Sequence, residues 1–162
     1  MVYMQRIKLT KGKSAIIDDD DYERINAYRW STQVARSGQR FYAVRNEYSK
    51  GGSYRRVYMH RFIMDAPEGK EIDHVNGNGL DNRQNNLRVC TSSQNRMNRG
   101  PSNASKTGLK GVFKSCGKFI AVIGAKGKVK RLGRFDTPEQ AAKAYDKEAR
   151  KLHGKFASLN RN

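Results

Sequence analysis

The stretch Glu71-Ile72-Asp73-His74-Val75-Asn76-Gly77-Asn78-Gly79-Leu80-Asp81-Asn82-Arg83-Gln84-Asn85-Asn86-Leu87-Arg88-Val89-Cys90, followed by Thr91-Ser92-Ser93-Gln94-Asn95-Arg96-Met97-Asn98, decides how this chain is read. It opens as a short apolar-flanked strand, turns through a segment dense in Asn and Gly, and returns as a second short strand, Leu87-Arg88-Val89. Thr91 or Ser92 then caps a helix that carries Gln94, Asn95 and Asn98. The expected unit is strand, strand, helix. Adjacent residues of a regular strand point to opposite faces, so Asp73 and His74 serve one site only where the strand ends or bends. The Asn-Gly repeats just after His74 provide for that bend.

These residue types suit phosphodiester hydrolysis, which needs a base for water, a cation for the charge building on phosphate, and a stabilised leaving oxygen. A neutral imidazole is a base suited to neutral pH, since its unperturbed pKa is about 6.5. One carboxylate plus one amide oxygen suits a hard cation that keeps several waters, with Mg²⁺ the first choice and Mn²⁺ an alternative. Asp73, His74 and Asn95 supply these groups. No structural zinc is expected: Cys90 and Cys116 lie 26 positions apart, belong to no C-x-x-C pair, and are accompanied by three histidines, His60, His74 and His153.

Charge names the partner class. The chain carries +18, and the excess is uneven. Residues 1–96 hold 17 basic and 11 acidic side chains, or +6, whereas residues 97–162 hold 16 and 4, or +12. A phosphate backbone relieves such self-repulsion by releasing condensed counterions when Lys and Arg dock, so nucleic acid is the first partner to consider. A membrane is not expected, because the chain has neither an apolar run of about 20 residues nor a strongly amphipathic basic helix. The opening MVYMQRIKLTKGK lacks the apolar centre of a signal peptide, so a soluble, cytoplasmic protein is expected.

Around the central stretch, Arg40–Arg45 and Arg56–Met59 alternate as strands about the loop Ser49-Lys50-Gly51-Gly52-Ser53, which reads as a β-hairpin. Asp18-Asp19-Asp20-Asp21 before Tyr22–Trp30 reads as an acid-capped short helix. Residues 99–107 are polar, carry Gly and Pro, and read as a linker. Beyond them, strand-like runs near 109–114, 118–125 and 128–135 precede a helix announced by Thr137 as N-cap, Pro138 at its first position and Gln140 placed for a capping box. Ala141, Ala142, Tyr145, Ala149 and Leu152 recur at helical spacing, and Gly154 stops the helix. A three-stranded sheet with a helix on one face follows, its other face rich in Lys and Arg.

The central stretch resembles the HNH family of nucleases. The resemblance implies a ββα-metal unit in which Asp73 and Asn95 bind the cation, His74 is the general base, and Asn86 braces the loop and helps hold the histidine. Tyr58-Met59-His60-Arg61-Phe62-Ile63-Met64 resembles the segment upstream of that motif, which makes His60 and Arg61 supporting candidates. A partly buried structural role for His60 stays open beside a role near the site. Arg61, Arg83, Arg88 and Arg96 are candidates for phosphate contact as a group.

Residues 108–160 resemble an AP2-type DNA-binding domain through Lys110-Gly111-Val112, Gly117-Lys118-Phe119-Ile120-Ala121, Arg131-Leu132-Gly133-Arg134-Phe135-Asp136-Thr137 and Glu139-Gln140-Ala141-Ala142-Lys143-Ala144-Tyr145-Asp146. That resemblance implies a sheet face entering the major groove. Lys110 and Arg131 are then the first candidates for DNA contact, and Lys114, Lys118, Lys130 and Arg134 support them. Ile120 and Val122 stand where plant members carry charged or Trp side chains, so thymine methyls become candidate contacts.

The expected fold class is α+β, in three parts. Residues 1–98 form a nuclease domain with a β-rich extension (1–57) and a ββα-metal core (58–98), 99–107 link, and 108–162 form the AP2-like domain. The function implied is a site-specific, metal-dependent endonuclease acting on double-stranded DNA, a homing enzyme of phage or mobile-intron type in a bacterial host cell. A monomer is expected, with dimerisation on DNA left open. Two alternatives stay open as well, a non-catalytic DNA-binding regulator and a binder of structured RNA.

Overall fold

The computed structural model describes residues 3–35, 38, 40–102, 104–125 and 127–160. The chain folds as mixed α and β structure, with small antiparallel sheets and short helices, in two compact units, Met1–Ser92 and Ser93–Asn162.

In the first unit, strands β1 (Met4–Lys8) and β2 (Ser14–Asp18) form an antiparallel hairpin. Alternation along β2 turns Ala15 and Ile17 inward, where both are fully buried. A 3₁₀ turn at Asp19–Asp21 leads into helix α1 (Tyr22–Asn26). Next come β3 (Ser31–Val34), β4 (Phe41–Tyr48) and β5 (Tyr54–Tyr58), a three-stranded antiparallel sheet with β4 in the middle. The β4–β5 hairpin expected about Ser49–Ser53 is present, with Tyr48 opposite Tyr54. Its second strand ends one residue early: Met59 opens helix α2 (Met59–Ile63). Met59 and Ile63, four apart, are both buried on the same face, a helical rather than a strand period. The core joins Ile7, Ala15, Ile17, Ile25, Trp30, Ala43, Met59, Ile63, Ile72 and Leu87.

The aspartate run does not cap a helix. Neither Asp18 nor Asp21 makes a side-chain capping bond to the turn that follows it. Asp18 Oδ2 instead accepts the Gln84 backbone N–H at 2.7 Å, and Asp21 takes Gln84 Nε2 at 3.0 Å and Arg24 Nε at 2.9 Å. Both carboxylates are buried, and a buried carboxylate needs donors; the loop before residue 87 provides them.

Strands β6 (Glu71–His74) and β7 (Leu87–Cys90) pair antiparallel, and helix α3 (Ser92–Asn98) follows. The division between units falls at the start of α3, not in 99–107. Residues expected as a bare linker are tied locally to the second unit: Ser105 Oγ donates to the Leu109 carbonyl at 3.1 Å and Thr107 Oγ1 to that of Val112 at 2.9 Å.

The second unit holds β8 (Val112–Ser115), β9 (Lys118–Ala125) and β10 (Lys128–Phe135), antiparallel with β9 central. Helix α4 (Pro138–His153) packs its alanine stripe on one face: Ala141 and Ala142 meet Val112 and Ala121, and Tyr145 and Ala149 meet Ile123. Thr137 caps α4 by accepting the Gln140 N–H at 3.2 Å. The Gln140 side chain accepts from Asp136 N–H at 3.3 Å, one residue before the position a reciprocal capping box uses. Leu152 is 42% exposed rather than part of the stripe. Tyr145 and Ala149 extend by four to His153, so the buried face ends on the histidine, whose Nε2 lies 3.1 Å from the Gly124 carbonyl.

Gly111 is held at φ +70, and a Cβ there would lie 2.3 Å from the Tyr145 ring and 2.4 Å from the Val122 carbonyl oxygen. Gly111→Ala is therefore expected to destabilise the second unit by roughly 2–4 kcal/mol, from overpacking plus left-handed strain. Urea unfolding followed by circular dichroism measures it, and a loss under about 0.5 kcal/mol, the size of an ordinary surface change, would contradict the packing described.

Candidate active site and nucleic-acid interface

The β6–β7 pair places Asp73 opposite Arg88 and His74 opposite Leu87. β6 ends at His74, and a turn closes at once, with Gly77 N–H bonded to the His74 carbonyl at 2.9 Å and Gly77 at φ +74. The strand thus stops where two consecutive side chains must share one region. Asp73 and His74 are both buried.

The loop from Val75 to Asn86 is built from its own amides. Asn76 Oδ1 accepts Asn78 N–H at 2.9 Å, and Asn78 Oδ1 accepts Leu80 N–H at 3.1 Å. Asn86 spans the loop: its Oδ1 takes Asn76 N–H at 3.0 Å, and its Nδ2 donates to the Asp81 carbonyl at 2.7 Å and to Asn76 Oδ1 at 3.1 Å. Its backbone carbonyl takes Val75 N–H at 2.9 Å, next to His74. Asp81 accepts Arg83 Nε and Nη2 at 2.8 and 2.7 Å, and that hydrogen-bonded guanidinium holds its carboxyl below the usual range. The loop is also docked on β2, where Ile16 N–H reaches the Leu80 carbonyl at 2.8 Å and Asn82 N–H reaches the Ile16 carbonyl at 2.7 Å.

The His74 ring lies among rings. His60 meets it edge-on with centroids 4.9 Å apart, Tyr42 lies 6.0 Å away, and Tyr58 contacts His60 at 5.4 Å. Asn82 Oδ1 lies 3.3 Å from His74 Nε2. Burial pushes the His74 pKa below its ordinary value, against the raising influence of the Asn82 hydrogen bond and of Asp73 and Asp81. The imidazole is therefore neutral near neutral pH, the state a base requires. Sequence reading missed Asn82, Tyr42 and Tyr58. Asn82 lay within an Asn-dense turn where only a fold distinguishes a turn former from a buried amide, Tyr42 arrives from β4, distant in sequence, and Tyr58 stands two residues before His60, which it touches.

His60 is buried, and burial, with smaller contributions from His74 and Arg61, pushes its pKa down to about 3. The native chain thus keeps His60 neutral at pH values where an unfolded chain, with a histidine pKa near 6.5, binds a proton. Stability from this group is complete above about pH 6.5 and is lost as the pH falls toward 3, at up to about 1.4 kcal/mol per pH unit. His60→Phe keeps the ring packing, so denaturant titrations from pH 7 to pH 4 should show a shallower loss than the parent chain; parallel curves would contradict this.

Asp73 is not an open carboxylate. Its Oδ2 accepts Arg88 Nε at 2.9 Å and Nη2 at 2.6 Å, so Arg88, expected as a phosphate contact, is directed to the acid. Arg61 ties the turn after α2, with Nη1 donating to the Lys70 carbonyl at 2.7 Å. Asn95 and Arg96 lie on α3, in the second unit, whereas Asp73 lies in the first. Among the described residues no three imidazole, thiolate or carboxylate side chains converge as a cation cage.

In the second unit the register sorts the basic candidates. Arg134, Ile120 and Phe113 lie in one rank across the sheet, and Arg131 lies opposite Val122. Their face is the one away from α4, because Ala121 and Ile123, the alternate residues of β9, are buried against the helix. Lys130 and Lys114 fall on the helix side, opposite Ile123 and Phe119, and Lys130 Nζ pairs with Glu148 at 2.9 Å. Lys118 pairs with Asp136, and Arg134 Nη2 donates to the Cys116 carbonyl at 3.0 Å. Lys110 is turned inward: its ammonium donates to the Met97 carbonyl, and burial lowers its pKa to about 8. The face expected to be rich in Lys and Arg is instead apolar with arginines and Lys118, because strand alternation sends Lys114 and Lys130 to the other side.

Residues 57–97, which span β6, β7 and most of α3, match the HNH endonuclease family. The chain carries an HNH endonuclease domain. An uncharacterized HNH endonuclease of Acanthamoeba polyphaga mimivirus is 28% identical over 161 residues, 99% of this chain and 82% of that protein. Protein 3.8 of Escherichia phage T7 is 33% identical over 93 residues, 56% of this chain and 76% of that protein, and the two belong to one family. Dehydration-responsive element-binding protein 2D of Arabidopsis thaliana is 50% identical over 64 residues, 38% of this chain and 31% of that protein. Asp73, His74, Asn82 and Asn86 all lie within the HNH match. Among the described residues no helix is long and apolar enough to cross a membrane.

Proposed function

We propose that this chain is a metal-dependent, site-specific DNA endonuclease in which the HNH domain cuts and the C-terminal sheet holds the target duplex. The observation that carries the reading is the burial of Asp73 and His74 side by side at the end of β6, with His74 held neutral among His60, Tyr42 and Asn82. His74 takes a proton from the attacking water. Asn86 keeps the loop closed so that the ring cannot swing out. Asp73 and Asn95 are the residues that would hold a divalent cation, Mg²⁺ first and Mn²⁺ second. One carboxylate, one amide and retained waters form a donor set that suits such an ion. A cation held there would supply charge neutralisation at the phosphate and at the leaving oxygen. Arg88 balances the Asp73 charge in the free protein.

The nuclease module is assigned residues 1–98, although α3 packs with the second unit, and the DNA-holding module 108–162, with 99–107 between them. The plant relative's name speaks of binding a response element, and its likeness to part of this chain supports an AP2-like role for the sheet. Arg131 and Arg134 on the open face suit guanine edges or phosphates, and Ile120, Val122 and Phe113 suit thymine methyls. Viral and phage relatives support a phage-borne or mobile-element origin, to which the proposal adds a homing role in a bacterial cytoplasm.

The deciding experiment incubates supercoiled plasmid carrying a random-sequence insert library with the full chain, with Mg²⁺, with Mn²⁺ and with EDTA. Relaxed or linear product that needs a cation is expected, and the ratio of the two reports whether one strand or both are cut. Absence of cleavage with either cation, alongside salt-sensitive duplex binding, would overturn the enzyme reading in favour of a DNA-binding regulator. Preference for matched RNA duplexes would overturn DNA as the substrate.

A further inference from the structure

The two faces of the β4–β5 hairpin differ. Ala43 and Val57 turn into the core of the first unit, and Arg45, opposite Val57, lies over the Tyr28, Trp30 and Phe62 rings. Glu47 shares that face and pairs with Arg45 and Arg55. Strand alternation therefore sends Tyr42, Val44, Asn46 and Tyr48 of β4 to the other face, with Tyr54, Arg56 and Tyr58 of β5. That face starts at the candidate active site, where Tyr42 approaches His74 and Tyr58 approaches His60. It ends at Tyr48 and Tyr54, directly opposite each other with ring centroids 5.8 Å apart. These two rings are 70% and 55% exposed. From Tyr42 to Tyr48 the strand runs about 20 Å, so the tip reaches well beyond the site.

We propose that this ribbon is a second DNA-contacting surface, in which the hairpin enters the major groove and Tyr48 and Tyr54 meet thymine methyls and base edges. The inference rests on the DNA reading above and places an interface on the first unit, separate from the sheet of the second. Shape supports it. β3 pairs with β4 only as far as Ser31 opposite Val44, so from Arg45 to the tip the hairpin is two strands wide, the width that the major groove admits. The loop is closed by Ser49 N–H on the Ser53 carbonyl at 2.8 Å, so the rings stand on a formed turn.

Charge supports the same partner. Arg56 is exposed on the tyrosine face and Lys50 is exposed in the loop, while the Glu47 carboxylate is held on the opposite face by two arginines. Arg56 Nη1 donates to Gln33 Oε1 at 2.8 Å. Arg56, Gln33, Ser31 and Asn46 line a hollow of about 170 Å³ whose donors suit a phosphate oxygen beside the groove. Neither exposed ring belongs to the core, and adjacent apolar groups left in water mark a contact surface. A net charge of +18 repels a second copy of the chain and attracts a polyanion.

The test uses the full chain in EDTA at low salt with a random-sequence duplex library carrying 5-iodouracil in place of thymine, which sets iodine where the methyl lies in the major groove. Complexes are irradiated with ultraviolet light, and the cross-linked residues are located by mass spectrometry. Cross-links at Tyr48 or Tyr54 are expected beside those of the second unit. Tyr48→Ser with Tyr54→Ser, its fold checked by circular dichroism, is expected to lose them and to weaken duplex binding about tenfold. Arg56→Gln is expected to weaken binding more than Arg55→Gln, which removes the same charge from the opposite face. Cross-links confined to residues 108–160, or parental affinity in the folded double-tyrosine variant, overturn the ribbon's role and leave the DNA reading standing. A dimer that the double variant abolishes at unchanged duplex affinity gives the tyrosines to a second copy and overturns that role as well. Absence of any duplex binding at low salt overturns the DNA reading itself, so the two failures are distinguishable.

Discussion

His74→Ala is expected to lower the proposed cation-dependent plasmid cleavage by about 10²–10⁴-fold, the span that general base catalysis commonly contributes, and to leave duplex affinity essentially unchanged. The expectation follows from placement: His74 is buried, neutral and set beside Asp73, whereas the arginines of the open sheet face lie in the other unit. Alanine leaves a space beside His60 and Tyr42, so His74→Gln is the companion variant, keeping volume without a base of matched pKa. Single-turnover cleavage and a gel-shift titration on the same duplex separate chemistry from binding. Cleavage within a few-fold of the parent would mean that His74 is not the base.

The second large effect concerns binding. Arg131→Ala with Arg134→Ala is expected to weaken duplex binding on the order of 10²-fold, because each arginine contact with a base edge or phosphate is worth about 1–3 kcal/mol. Lys114→Ala with Lys130→Ala removes the same formal charge from the helix side of the sheet, where Lys130 is already paired with Glu148. That pair of changes is expected to act only through the general field, costing a few-fold at low salt and less as salt rises. Fluorescence anisotropy at two salt concentrations compares the two double variants. Equal losses would show that total charge, and not one face of the sheet, holds DNA.

The HNH segment was legible because its chemistry is compressed into a short run. Asp73, His74 and Asn86 are tied by a single hairpin, so spacing alone constrains where they fall, and the Asn-Gly turn that ends β6 is a local property of the backbone. The sheet and helix of the second unit were legible for a similar reason, with Thr137, Pro138 and Gly154 marking the ends of α4 by local capping chemistry. Short-range signals failed where a side chain's partner is far along the chain. Asp18 and Asp21 read as a cap until Gln84 supplied their donors, and nothing near Lys110 in sequence announced that its ammonium donates to the Met97 carbonyl.

By itself, then, the sequence determined which residue types stand together in the HNH segment and how unevenly the positive charge is spread, since local spacing and net charge do not depend on how distant segments pack. Tertiary structure alone decided which amide touches the His74 ring, which acid holds Arg88, and which basic side chains share the open face of the sheet. Those outcomes depend on strand register and on burial, where an unpaired polar group costs more than a solvated one, and neither can be read from neighbours along the chain.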